Sequence, residues 1–198
     1  MRHDDWDRKY AAQELLWSAE PNRFVAEELA ALAPGRAVDL ACGEGRNAIW
    51  LARHGWRVTA VDFSEVALGK GRAIAERHGV TVDWVRADLL DDVALPPEQD
   101  LVVIAYLQLP ADQLATVLAA AASALAPGGT LFVVGHDLSN LTDGVGGPQS
   151  PEVLYTPAAV AAGLPGLDVV RAERVTRPVD TPDGVRHAID TLVRATAP

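Results

Sequence analysis

The stretch Val38-Asp39-Leu40-Ala41-Cys42-Gly43-Glu44-Gly45-Arg46-Asn47-Ala48 decides how this chain is read. Residues 38–41 form an apolar run broken by one acid, as a buried parallel strand would. Gly43 and Gly45 then supply a tight turn and let a ligand approach the backbone closely. A helix follows from Arg46. Backbone N–H groups and a helix N-terminus therefore face whatever lies over the glycines. Asp62 comes nineteen residues after Gly43, at the end of the strand-like run 56–61. In a doubly wound sheet that strand end lies beside the first one, where a carboxylate can accept both hydroxyls of a ribose. The combination indicates a nucleoside-containing cofactor.

Gly43-x-Gly45-x-x-Ala48 also matches the dinucleotide fingerprint, so a nicotinamide-dependent oxidoreductase is the first alternative. Three features turn the reading away from it. Asp39 lies four residues ahead of Gly43; an anion so close repels a pyrophosphate and attracts an amino group or a sulfonium. Arg86-Ala87-Asp88-Leu89 follows the third strand-like run, where Asp88 can accept from an adenine amino group and Leu89 can cover the ring. The chain then ends in two strand-like runs, 167–175 and 185–193, joined through Thr181-Pro182-Asp183-Gly184. Asp-Gly after Pro is a turn signal, so an antiparallel hairpin at the sheet edge is expected, in place of further parallel units.

These residues, in this order and spacing, resemble the class I S-adenosylmethionine-dependent methyltransferases over nearly the whole chain. Residues 39–45 look like the family's first motif, Asp62 like its ribose-binding acid, and Ala87-Asp88-Leu89 like its adenine motif. Residues 100–106 look like the fourth strand, and 125–134, with Pro127-Gly128-Gly129, like the turn into the fifth. Within the family, Gly43-Glu-Gly-Arg-Asn47 and the C-terminal hairpin are most similar to the small tellurite-resistance and thiopurine methyltransferase-like proteins. The resemblance implies a single Rossmann-like α/β domain over residues 1–198. Its seven-stranded sheet is doubly wound and mostly parallel, with an antiparallel C-terminal hairpin. Residues 1–34 would form N-terminal helices and a lid, 35–136 the cofactor-binding core, and 137–198 a loop, a short helix and the hairpin. It implies S-adenosyl-L-methionine as cofactor, S-adenosyl-L-homocysteine as product, and methyl transfer to a small-molecule thiol, oxygen or nitrogen.

Composition agrees with that class. At 198 residues and 49% hydrophobic, the chain has enough apolar material for one domain with a sizeable core. Its net charge of −10, from 27 acidic and 17 basic residues, argues against a nucleic-acid partner, because binding phosphates requires a basic surface. The lone cysteine, Cys42, excludes an internal disulfide and suits a reducing compartment. No apolar run approaches the roughly 20 residues of a membrane span, and the first residues lack an apolar signal core. A cytoplasmic monomer or homodimer, with no membrane partner, is expected.

The periodicity predicts helices over 8–18 and 23–32, then strands near 37–41, 57–61, 81–86, 101–105 and 130–135. Helices over 46–54, 65–78 and 110–125 separate them, with Ser64 as an N-cap. Residues 139–151, with three glycines and two prolines, read as a loop on the substrate side, and Thr156-Pro157 opens a short helix.

The expected cofactor-binding set is Asp39, Ala41, Cys42, Gly43, Gly45, Arg46, Asn47, Asp62, Phe63, Ala87, Asp88, Leu89, Ala105 and Tyr106. Tyr10 and Trp17 join it from the N-terminal segment. Trp6, Tyr10 and Trp17, spaced by four and seven, share one helix face; it is either a packed stripe or an aromatic lid over the cofactor. Asp39 can hold turn N–H groups or, through water, a ligand amino group. Cys42 has no base placed beside it by sequence, so it is read as a small turn residue and not as a nucleophile. His136 follows the fifth strand, and Tyr106 the fourth, at the edge where such sheets bind ligands. Either could serve as a catalytic base, and His136 could equally be a hydrogen-bonding partner of Asp137. His3, His54, His78 and His187 read as surface or helix-end residues, and no metal site is expected. A second alternative is a non-catalytic nucleoside-binding regulatory protein.

Overall fold

The computed structural model describes residues 3–13, 15, 19–91 and 94–198. The chain runs α1 (His3–Ala11), α2 (Arg23–Leu29), β1 (Arg36–Leu40), α3 (Arg46–Arg53), β2 (Arg57–Asp62), α4 (Glu65–Arg77), β3 (Asp83–Arg86), β4 (Gln99–Ala105), α5 (Ala111–Ser123), β5 (Leu125–His136), α6 (Asn140–Asp143), α7 (Pro157–Ala162), β6 (Asp168–Thr181) and β7 (Gly184–Thr196). One seven-stranded sheet has the order β3-β2-β1-β4-β5-β7-β6. β1 to β5 pair in parallel, and β7 runs antiparallel to both β5 and β6. The strand order reverses between β1 and β4, which places a ligand crevice above their C-terminal ends.

Parallel strands buried on both faces need near-continuous apolar sequence. Residues 101–104 and 131–134 have no exposed surface. One face of the sheet packs Val58, Leu101, Val103, Phe132, Val134 and Leu192 against Phe24, Val25 and Leu29 of α2, Leu51 of α3 and Leu68 of α4. The other packs Val38, Leu40, Val102, Ile104, Leu131 and Val133 against Leu114, Val117 and Leu118 of α5 and Val160 of α7. The two caps read from sequence are present: Ser64 Oγ accepts from the Ala67 N–H at 3.1 Å, and Thr156 Oγ1 from the Ala159 N–H at 3.1 Å.

α2 ends at Leu29 and β3 begins at Asp83, short of the expected 23–32 and 81–86, and four further elements depart more from the sequence expectation. α1 covers His3–Ala11 where a helix over 8–18 is expected, with residues 14 and 16–18 outside the described residues; the Lys70 ammonium of α4 takes the carbonyls of Tyr10 and Gln13, which an extended helix would have used internally. β5 begins at Leu125, because Gln99 pairs with Leu125 before the register shifts at the Gly128-Gly129 turn. Residues 139–151 are not all loop: α6 forms one turn, and a 3₁₀ turn covers Pro151–Val153. The hairpin strands are longer than predicted, since Pro178 lies on the edge strand β6, where a missing N–H is tolerated.

Candidate functional site

The turn after β1 is built around alternating left-handed residues: Ala41, Gly43 and Gly45 have φ of +54°, +56° and +76°. Two buried carboxylates hold it. Asp62 Oδ2 accepts the Gly43 N–H at 2.8 Å, and Asp62 Oδ1 accepts the Ser64 N–H at 2.9 Å. Asp39 Oδ2 accepts the Ala48 N–H at 3.1 Å, tying β1 to the first turn of α3. Burial pushes the Asp39 carboxyl up to about 7, against the opposing pull of the Ala48 N–H and Arg46. Burial also raises Asp62, against the N–H groups of Ser64 and Gly43. Cys42 is buried, and burial, then Asp39 and Asp62, hold its thiol well above the usual range. A thiol kept protonated is a poor nucleophile.

The two glycines make room for different neighbours. A Cβ on Gly43 would lie 2.7 Å from the Tyr10 hydroxyl, whereas a Cβ on Gly45 would lie 2.3 Å from Cη2 of Trp84. The Trp84 indole also lies against Gly71 of α4, so Gly45 serves packing while Gly43 lies beneath α1. Tyr10 is buried and stacks on Trp6 at 5.8 Å. Asp7 accepts from Ser64 Oγ, and Lys70 holds the end of α1 while pairing with Glu44 at 3.2 Å. α1 thus covers the glycine turn. Trp17 lies outside the described residues.

Of the other expected residues, Asn47 turns its carbonyl away to the Asn22 N–H at 2.9 Å and so anchors the start of α2. Phe63 gives its carbonyl to Arg86 Nε at 3.2 Å. The Ala87 N–H donates to the Asp62 carbonyl at 3.1 Å. Asp88 Oδ1 accepts the Leu90 N–H at 2.9 Å, fixing the loop after β3. Leu89 packs on the core face behind β1, and Ala105 on the opposite one. Arg46 is electrostatically coupled to Tyr106, Asp39, Arg177 and Tyr10, and burial lowers its pKa. His54 caps its own helix through the Trp50 carbonyl, and His78 and His187 are exposed.

A second polar cluster occupies the crevice side of β4, β5, β6 and β7. Tyr106, with φ of +59°, donates its hydroxyl to Asp190 Oδ2 at 2.7 Å. Arg177 Nε reaches the same oxygen at 2.8 Å and the Tyr106 hydroxyl at 3.1 Å. The His136 ring lies edge-on to Tyr106 at 4.9 Å, and its Nδ1 is 3.3 Å from Asp190 Oδ1. Burial, then the Asp190 charge, raise the Tyr106 phenol far above its ordinary value, so it holds its proton. Asp137 points to the other face of the sheet, accepting from Ser139, Thr191 and Arg174. It is therefore no partner of His136.

Sequence reading missed Asp190 and Arg177. Asp190 had one signal, the one acid inside the strand-like run 185–193; Arg177 had none. It also missed Lys70 and Asn140, whose Oδ1 accepts the Ile189 N–H at 2.7 Å and ties residues 139–151 to β7.

A family model described as "Methyltransferase domain" matches residues 37–129. A ubiquinone biosynthesis O-methyltransferase of Xanthomonas campestris pv. campestris is 34% identical over 192 residues, covering 94% of this chain and 69% of the relative. Two further curated relatives, one named for ribosomal RNA methylation and one for ubiquinone biosynthesis, are matched over 111 residues each, and the chain spans only 33% and 46% of their length. Among solved structures, TehB from Haemophilus influenzae superposes with a TM-score of 0.77 at 16% identity, over 99% of this chain and 67% of that one. The N-methyltransferase NodS from Bradyrhizobium japonicum WM9, in complex with S-adenosyl-L-homocysteine, superposes with a TM-score of 0.75 at 21% identity, over 99% of this chain and 98% of that one. The seven-stranded sheet with its antiparallel β7, the glycine turn and the relative matched over 94% of this chain agree: this chain belongs to the class I S-adenosylmethionine-dependent methyltransferases.

Proposed function

We propose that this protein transfers a methyl group from S-adenosyl-L-methionine to a small-molecule nucleophile. The observation that carries the cofactor half is Asp62. Each of its oxygens already accepts one backbone N–H, which leaves a lone pair on each for a ribose hydroxyl. These two acceptors therefore fit the ribose hydroxyls of the nucleoside. Gly43 would take the close approach of the ligand, with Tyr10 moving over it. Asp88 and Leu89 would face the adenine, and Arg46 and Asp39 the amino-acid end. Bound there, S-adenosyl-L-methionine supplies a methyl group that is electrophilic because it sits on a sulfonium.

The chain's own task is alignment in a dry site. Tyr106, held protonated, and Arg177 fix the wall beside β4. His136 takes the acceptor's proton when the acceptor is not already ionised. An oxygen acceptor is favoured by the Xanthomonas relative, named as an O-methyltransferase and matched over 69% of its length. The net charge of −10 supports a small acceptor over a nucleic acid. A cytoplasmic setting is part of the same proposal, resting on the buried lone thiol; among the described residues no helix is long and apolar enough to cross a membrane.

The test is calorimetry with S-adenosyl-L-homocysteine, followed by mass-spectrometric turnover on a panel of catechols, phenols, amines and thiols. Asp62→Ala should weaken product binding at least tenfold, as loss of two hydrogen bonds to a charged group at about 1.5–3 kcal/mol each requires. Binding of NADH in place of the homocysteine product, or binding without turnover on any panel member, would favour the oxidoreductase or the regulatory alternative.

A further inference from the structure

We infer that Asp190 is a positioning residue, which fixes the tautomer of His136 so that Nε2 is the basic nitrogen offered to an oxygen or nitrogen acceptor. This rests on the reading of His136 as the base and says what makes it one.

Asp190 has no exposed surface. Its Oδ2 is saturated by the Tyr106 hydroxyl and Arg177 Nε, at 2.7 and 2.8 Å. Its Oδ1 is buried and makes no hydrogen bond. Nδ1 of His136 is likewise buried without a hydrogen bond, and the two atoms are 3.3 Å apart. Leaving a buried polar atom unsatisfied forfeits the hydration it had in the unfolded chain. Two such atoms in contact are therefore poised to satisfy each other. The backbone need not move to achieve this. His136 and Asp190 are direct partners across the β5–β7 ladder, so their side chains rise from the same face of the sheet. The ring is confined on its other sides. Tyr106 lies edge-on at 4.9 Å, and a Cβ on Gly147 would come within 2.9 Å of the imidazole. A small ring rotation aligns Nδ1–H with Oδ1, and hydrogen bonds of this kind commonly tighten only in the working complex.

Once Nδ1 carries the proton, Nε2 carries the free lone pair. The acceptor oxygen or nitrogen then gives its proton to Nε2 and its electron pair to the methyl carbon. The carbon–sulfur bond breaks with its electrons on sulfur, and a neutral thioether leaves. The imidazolium keeps its Nδ1–H on Asp190, whose charge offsets it; Arg177 and Tyr106 keep that carboxylate in place without taking its role. A thiol with a pKa near 8.5 ionises readily without such help. The arrangement therefore suits an acceptor whose proton must be removed, a hydroxyl or an amine. The charged and titratable groups facing this ring are Asp190 from β7, Tyr106 after β4 and Arg177 from β6, with Arg46 of α3 beyond them.

The experiment uses the full chain labelled with ¹⁵N-histidine, with S-adenosyl-L-homocysteine present, and His136 identified by its loss from the spectrum of His136→Gln. The neutral ring should carry its proton on Nδ1, and Asp190→Asn should shift the population toward Nε2–H. With 3,4-dihydroxybenzoate as probe acceptor, Asp190→Asn should lower kcat about tenfold or more while KM and product affinity stay within about threefold. With dithiothreitol as acceptor the same variant should lose far less. An Nε2–H tautomer in the unmodified protein overturns the proposal, as does Asp190→Asn with unchanged kcat. The tautomer alone decides the matter if the variant does not fold or neither probe turns over. Full turnover by His136→Gln, with the Nδ1–H tautomer observed in the unmodified protein, would instead remove His136 from the base role.

Discussion

Asp39 shows how a single buried group can be read in two currencies, geometry and pH. Its carboxyl is 1% exposed and accepts the Ala48 N–H, and its titration is displaced from 3.8 to about 7. The sign follows from proton counting. Between those values the folded chain holds a proton on Asp39 that the unfolded chain has released. Stability therefore falls as pH rises through this window. Asparagine has nearly the same shape, keeps an acceptor for Ala48 and carries no titrating proton. The gain of Asp39→Asn over the parent should hence grow by about 2–3 kcal/mol between pH 5 and pH 8, at about 1.4 kcal/mol for each unit from 5 to about 7. Denaturant melts of both proteins at the two pH values check this; a difference that does not change with pH would mean that Asp39 is ionised throughout. Ala41 is the other informative residue. Its φ of +54° places an L side chain in a region that costs about 1–2 kcal/mol, at a position where the surrounding turn leaves no choice.

At the level of elements, the parallel core was legible because its physics is local. The run 101–104 is apolar since both faces are covered, and Ser64 and Thr156 announce their helices by chemistry within three residues. What escaped reading was set by partners distant in sequence. The end of α1 is decided by Lys70, about sixty residues away, and the polar cluster joins Tyr106, His136, Arg177 and Asp190 only once β4 to β7 have paired. No spacing rule marks such a meeting. The glycine turn lies between these cases: its fold was plain, but Gly45 is there for Trp84, which a motif cannot say. The same non-local tie gives a prediction for α1. The Lys70 ammonium takes two carbonyls at the helix end and pairs with buried Glu44, whereas the helix itself has only nine residues, too few to persist alone. Lys70→Met should therefore release α1 without unfolding the sheet. Hydrogen exchange should quicken across residues 3–11 by tenfold or more while β4 and β5 keep their protection. Equal loosening in both would place α1 within the cooperative core.

At the scale of the whole molecule, the question is whether the N-terminal segment closes the site or obstructs it. The two roles differ in sign. Tyr10 lies over Gly43, where the nucleoside would approach, and α1 is bonded to Ser64 and Lys70 on the flank of the crevice. As a lid, the segment swings its aromatic face outward, admits the ligand and repacks on it, so its order rises on binding. As an obstruction, it must be expelled and its order falls. The helices that build the core leave this segment out: among residues 5–13, whose burial is described, Tyr10 alone belongs to the buried apolar set. Asn22, by contrast, caps α2 and is held by Asn47, so a cut must fall before Pro21. We expect the lid. A chain lacking residues 1–20 should melt cooperatively within a few degrees of the full protein, bind S-adenosyl-L-homocysteine several-fold more weakly, and transfer methyl poorly because water and misaligned acceptors can enter. In the full protein the same ligand should slow exchange across α1 and leave the hairpin tip at Asp183 unchanged. Tighter binding by the truncated chain, or faster exchange across α1 in the complex, would establish that Tyr10 competes with the cofactor for the space above Gly43.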